Sequence, residues 1–132
     1  EWQLTTAEPA RAVHECRVSN PVTQSIKIEQ AGPDASAIRL FHMISPLAKG
    51  TKYRLVGEGR STTPRSMEVA LDTEGEASGP RAAVANFSLT EAWTPLSGEF
   101  KAESDAKKLV FSLGTGEPGE VELRRIAIQP AE

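Results

Sequence analysis

One cysteine, Cys16, stands in 132 residues. Alone it closes no intrachain disulfide and assembles no cysteine-based zinc site, so cysteine usage leaves the compartment open. Aromatic residues make up only 5% of the chain. Apolar stretches are short and broken by charge, and none is long enough to span a bilayer. Charge of one sign is also missing: fifteen Lys and Arg face eighteen Asp and Glu, a net charge of −3, and basic runs never exceed two residues. A nucleic-acid binder rests on clustered cations meeting phosphates, so neither a nucleic-acid partner nor a membrane is expected.

What remains is the composition of one globular domain, with 39% hydrophobic and 25% charged residues over a length too short for two cores. Both ends fit a module cut from a multidomain protein. Short alternating runs separated by Gly, Pro and Ser dominate. Strands are expected at Ser25–Glu29, Ala37–Ile44, Lys52–Val56, Ser66–Asp72, Ala83–Leu89, Thr94–Ala102, Lys107–Leu113 and Glu120–Ile128. Gly57 and Gly59 read as strand stops, and 73–81 reads as a long loop. Thr6–Arg17 offers the one helix candidate, weakened by Pro9 and by β-branched Val13. Turn signals every ten to fifteen residues or so suit a sandwich or barrel.

Catalytic signatures are missing: no Gly-x-Ser-x-Gly elbow, no His-Glu-x-x-His and no phosphate loop. Glu68, Asp72, Glu74 and Glu76 offer carboxylates for glycoside hydrolysis, but nothing sets them across a cleft, and charged turn residues explain them. His14 and Cys16 share one strand face and read as a structural pair, since a metal site needs further ligands. Asn86-Phe87-Ser88 matches a glycosylation acceptor by accident, with Phe87 inward. Period-2 alternation turns Tyr53, Phe87, Trp93, Phe100 and Phe111 toward the core. Trp2 and Phe41 are left over, and Phe41 shares its face with Arg39. The same parity turns Arg54, Val56 and Glu58 outward from one strand, and Lys108, Val110 and Ser112 outward from another.

Four segments in order carry a resemblance. AIRLFHMISPLAKGTKYRLVGEGRS from Ala37, with Leu47, Gly50 and Tyr53 in register, is followed by LTEAWTPLSGEF, LVFSLGTG and VELRRIAI. Together they resemble jelly-roll carbohydrate-binding modules of the family 4, 9 and 22 kind, over about residues 24 to 129. The resemblance implies an all-β jelly-roll sandwich of two antiparallel sheets, one domain over residues 1–132, whose outward positions line a concave groove. The implied ligand-binding set is Trp2, Arg39, Phe41, Arg54, Glu58, Lys108 and Ser112, with Arg39, Arg54 and Glu58 side by side. Stacking on an aromatic and planar hydrogen bonding to hydroxyls is the chemistry such a set offers. Where the family carries an acidic pair on its last strand, one Asp often holding calcium, this chain has Arg124 and Arg125. Cations cannot ligate Ca²⁺, so neither a metal nor any other cofactor is expected.

The function expected is non-catalytic binding of a polysaccharide or oligosaccharide, beside a catalytic domain of the same chain, in a secreted (extracellular or periplasmic) polysaccharide-degrading enzyme. The competing reading is a structural or protein-contacting spacer that binds no sugar. Trp93 is expected to be a core anchor.

Overall fold

A computed structural model of the chain describes residues 2–18, 22–44, 47–48, 50–72, 82–102 and 108–131. The strands are β1 (Trp2–Thr6), β2 (Arg11–Arg17), β3 (Thr23–Gln30), β4 (Ile38–Met43), β5 (Lys52–Ser61), β6 (Arg65–Asp72), β7 (Ala82–Leu89), β8 (Thr94–Pro95), β9 (Gly98–Lys101), β10 (Lys108–Ser112) and β11 (Gly119–Pro130). A single 3₁₀ turn, Ala35–Ala37, precedes β4. The helix candidate resolves into the end of β1, a turn through Pro9, and β2. The long-loop reading of 73–81 lies outside the described residues.

The strands form two antiparallel sheets, one ordered β1-β4-β10-β6-β7 and the other β2-β3-β11-β5-β8, with β9 also paired to β5. Alternation along each strand sends one set of side chains between the sheets. Ile38 and Leu40 of β4, Met67 and Val69 of β6, and Leu109 and Phe111 of β10 meet Ile26 and Ile28 of β3, Leu55 of β5, and Val121 and Leu123 of β11. Burying each such side chain contributes about 1.5–3 kcal/mol. This is the expected sandwich.

β5 runs through both glycines that looked like stops. A Cβ on Gly59 would stand 3.0 Å from Leu123 Cδ2 and 3.3 Å from Leu96 Cδ1; one on Gly57 would stand 2.5 Å from Ile126 Cδ1. These glycines admit neighbouring side chains and do not end the strand. Opposite them β11 carries a bulge, its register to β5 shifting between Arg124 and Ala127. Within it Arg125 has φ 58°, and it is the one non-glycine at positive φ among the described residues. That conformation costs an L-residue about 1–2 kcal/mol.

Arg65 fixes the other end of the long strands. It is 6% exposed. Its Nε donates to Ser61 Oγ (3.0 Å), Nη1 to the Thr115 carbonyl (3.1 Å), and Nη2 to Thr63 Oγ1 (2.9 Å) and to the Glu117 carbonyl. Burial pushes its pKa down, yet an arginine keeps its charge at any ordinary pH. One guanidinium thus ties the β5–β6 turn to the β10–β11 loop.

Candidate functional site

The outer face of the five-stranded sheet is ordered in rows that cross the strands. Register aligns Gln3, Phe41, Val110 and Ala70 in one row. The next row holds Thr5, Arg39, Ser112, Glu68 and Asn86. Lys108 lies on the far side of the Phe41 row, between Met43 and Asp72 in register. Neighbouring strands are about 4.8 Å apart and same-face residues about 6.7 Å apart along a strand. The result is an apolar strip bordered on both sides by polar groups. Val110 is 0% and Ala70 2% exposed, although both project from the outer face. Phe41 is partly buried, and the Lys108 ammonium sits 5.6 Å from its ring centroid, within cation–π reach. Ser112 is buried in the floor, while Arg39 and Glu68 are partly exposed beside it.

The outer face of the six-stranded sheet is a ladder of paired charges. Arg124 Nε lies 2.8 Å from Glu58 Oε1, Arg60 Nε 2.7 Å from Glu122 Oε1, and Arg54 Nη2 2.5 Å from Glu99 Oε2. Arg17 reaches Glu15 (3.1 Å), Glu120 (2.9 Å) and Glu122 (3.1 Å). The Glu15 hydrogen bond, and the charges of Glu120 and Glu122, hold the Arg17 pKa above its ordinary value. The hydrogen bond and charge of Arg54 hold the Glu99 carboxyl below its own. Trp93 lies within this ladder, its ring 3.7 Å from Arg124 Cζ and 4.4 Å from Arg60 Cζ.

Four of the expected binding residues, Arg39, Phe41, Lys108 and Ser112, therefore share one face. Arg54 and Glu58 do not join them. They stand on β5 in the opposite sheet, so the side-by-side arrangement with Arg39 does not occur. Alternation says which side of its own sheet a residue takes, and it is silent on which sheet a strand joins. Trp2 stands apart again. It faces inward from β1, stacked on His42 (centroids 4.1 Å apart, 14° between planes) and 5.8 Å from Phe111, closing one end of the core.

Trp93 corrects a second expectation. It is partly buried between two guanidiniums on the outer face and is not part of the core cluster, whereas Phe111 is fully buried and Tyr53, Phe87 and Phe100 pack against that cluster. β8 is only two residues long, so Trp93 precedes the strand and escapes its alternation. His14 and Cys16 are joined through a third side chain. Gln24, 5% exposed, bridges them, its Oε1 2.7 Å from His14 Nε2 and its Nε2 donating to Cys16 Sγ at 3.4 Å.

Sequence reasoning left Val110, Ala70 and Glu68 out of the site although their parity already turned them outward. Gln3 and Thr5 had no signal, because nothing in the sequence announces that β1 pairs with β4.

A family model described as a carbohydrate binding domain matches residues 1–120. No curated protein matches the sequence. Among solved structures, the chain is similar to a CBM4 protein at TM-score 0.84 and 19% identity, covering 98% of this chain and 86% of that one. It is similar to the N-terminal cellulose-binding domain of a Cellulomonas fimi β-1,4-glucanase C at TM-score 0.69 and 14% identity, covering 99% and 89%. A third is a Clostridium thermocellum endo-1,4-β-D-xylanase comprising CBM22-1 and GH10 modules, complexed with xylohexaose. There the TM-score is 0.63 at 14% identity, covering 98% of this chain and 26% of that one. At these identities the likeness is one of fold, and the fold is the jelly-roll sandwich.

Proposed function

This chain belongs to the carbohydrate binding domain family, and we propose that the outer face of its five-stranded sheet is where it holds a glycan, without catalysing its cleavage. The observation that carries this reading is the strip of Phe41, Val110 and Ala70 bordered by Arg39, Ser112 and Glu68 on one side and by Lys108 on the other. A pyranose ring presents an apolar face of C–H groups and a rim of hydroxyls. The face suits Phe41, the partly exposed member of the strip, and the rim suits the planar or charged donors and acceptors at its edges. Arg39 brings a planar set of donors, Glu68 an acceptor pair, and Lys108 a cation that orders Phe41 from above.

Hydrogen bonds to neutral hydroxyls contribute modestly, and one phenyl ring adds little area, so affinities of about 1 μM to 1 mM are expected. Such a module works by tethering, raising the local concentration of an attached catalytic domain at a polymer. A solved structure that holds a CBM22-1 module together with a xylanase's GH10 module, and another of a cellulose-binding domain from a glucanase, support a setting in a secreted polysaccharide-degrading enzyme.

The test is titration calorimetry or affinity electrophoresis against soluble β-glucan, xylan and acidic polysaccharides. Phe41→Ala is expected to weaken binding about tenfold, equivalent to about 1.4 kcal/mol, with an unchanged melting temperature. Arg54→Ala and Glu58→Ala, on the other sheet, are expected to leave affinity unaltered. Wild-type protein that binds no member of the panel would replace this reading with that of a spacer.

A further inference from the structure

The two sheets part at one end of the sandwich. Between β1 and β4 on one side and β3 and β11 on the other lies a cavity of about 320 Å³, outside the face described above. Trp2 and His42 form one wall, Leu123 and Ile126 the other, with Gln24 and Arg125 supplying polar atoms. The hollow is open to solvent on one side, a cleft at the surface and not an enclosed void. It falls at the small end of the volumes that hold ligands, and its mixture of apolar walls and few polar groups is the usual lining of such sites.

The chain departs from regular geometry at this spot. The bulge in β11 falls between Arg124 and Ala127, and its Arg125 is the residue held at φ 58°. A bulge re-aims a side chain that alternation would send elsewhere. Without it, position 125 follows Leu123 onto the inward face. With it, the Arg125 side chain emerges at the rim, 65% exposed.

Charge at the rim is unbalanced among the described residues. Glu58 Oε1 stands 2.8 Å from Arg124 Nε and 3.9 Å from Arg125 Nε, so one carboxylate faces two guanidiniums. Arg124 also lies against the Trp93 ring on the outer face. Arg125 is the looser partner. His42 is the remaining titratable group of the lining, and it stacks on Trp2.

We infer that this cavity binds a carboxylated sugar, one uronic acid residue, its ring against the apolar walls and its carboxylate on Arg125. A guanidinium meets a carboxylate with paired donors, a stronger contact than any hydroxyl provides. At about 320 Å³ the cavity has room for one sugar ring and not for a run of them. The site takes a terminal residue or a side branch. An acidic branch held here while a neutral backbone lies across the Phe41 strip would engage two sites in one molecule, and linked contacts gain from effective concentration.

The experiment is an NMR titration of the full chain with glucuronic acid, galacturonic acid and glucose, then with neutral xylan and with xylan bearing glucuronic acid branches. The uronic acids are expected to shift the Trp2 indole and the Arg125 and Ile126 amide resonances saturably, while glucose leaves them in place. Arg125→Gly accepts φ 58° without strain and removes the whole side chain with its charge. It is expected to cut uronate affinity about tenfold and to leave the binding of neutral xylan unchanged. Arg125→Gln, which keeps the stem and a planar polar end without the charge, should lose as much. A tighter grip on branched than on neutral xylan, abolished by either variant, marks a side branch as the source; a preference for free uronates and chain ends marks a terminal residue. Uronates that shift none of these resonances, or that bind Arg125→Gly as well as wild type, overturn the site. Loss of the neutral-xylan response would instead count against the Phe41 face, so the two failures are separable.

Discussion

Five strands on one side of this sandwich present a middle of Phe41, Val110 and Ala70, while the other side presents a middle of Glu58, Arg60, Glu122 and Arg124. Pleat, spacing and parity are the same on both. The difference lies in how the groups are satisfied. On the six-stranded sheet each of these charges meets its opposite within 2.8 Å, and the one large ring, Trp93, is covered by two guanidiniums. Such a face offers a ligand few contacts that it does not already make to itself. On the five-stranded sheet the apolar row runs between polar borders with Phe41 partly exposed and with Val110 and Ala70 covered. A surface made of paired charges resists association, whereas a partly exposed ring flanked by polar side chains leaves contacts for a ligand to make.

The sharpest way to break the comparison is to remove what both faces stand on. Phe111 is 0% exposed and lies beneath the sheet that carries the strip. Phe111→Ala is expected to cost about 3–5 kcal/mol, read from urea unfolding, because the cavity left behind adds to the lost burial. A loss below about 1 kcal/mol would mean that the sandwich tolerates an empty centre.

Trp93→Ala comes next. Two cation–π contacts at a partly exposed site contribute about 0.5–1 kcal/mol each, so a loss of about 1–2 kcal/mol is expected, with glycan affinity untouched. A loss of 3–5 kcal/mol, the scale of a removed core aromatic, would restore the role of core anchor that the sequence suggests.

The smallest effect is expected at Arg54 and Glu99. Arg54 holds the Glu99 carboxyl below its ordinary 4.5 in the folded chain. A depressed carboxylate contributes stability that is present above the unfolded value and disappears as the pH falls through the lower folded value. Wild type should therefore unfold at a slightly higher temperature than Glu99→Gln at pH 7, and the two should converge well below pH 4.5. The pair is solvent-exposed, so 0.5 M salt is expected to erase the difference. A gap that persists in acid would mean that the variant acts through something other than charge.

Most of the fold was legible because period-2 alternation is written into runs such as Ser66–Asp72 and Lys108–Ser112, whose inward Met67, Val69, Leu109 and Phe111 are all fully buried. The candidate site was legible one face at a time. Parity turned Arg39, Phe41, Lys108 and Ser112 to one outer face, and it drew in Arg54 and Glu58 by the same rule, since alternation is local and the pairing of strands into sheets depends on contacts far apart in sequence. Trp93 was misread because it stands before a strand of two residues, where no alternation exists to be read. The bulge at Arg125 was invisible for a related reason. It goes with the room that Gly57 leaves for Ile126 across the sheet, and such a fit is a property of two strands together.

That bulge has a consequence for how the domain can change. Deleting one residue from a strand ordinarily turns everything beyond it inside out. Here Leu123 faces in, Arg124 and Ala127 face out opposite Glu58 and Val56, and Ile128 faces in opposite Leu55. With Arg125 removed, Leu123, Ile126 and Ile128 fall on alternate inward positions, and Ile126 already packs against the core. The alternation closes over the gap. A lineage can therefore gain or lose this residue through a single codon without exchanging the domain's interior for its exterior, so the end of the sandwich is free to diverge while the sheets keep their architecture.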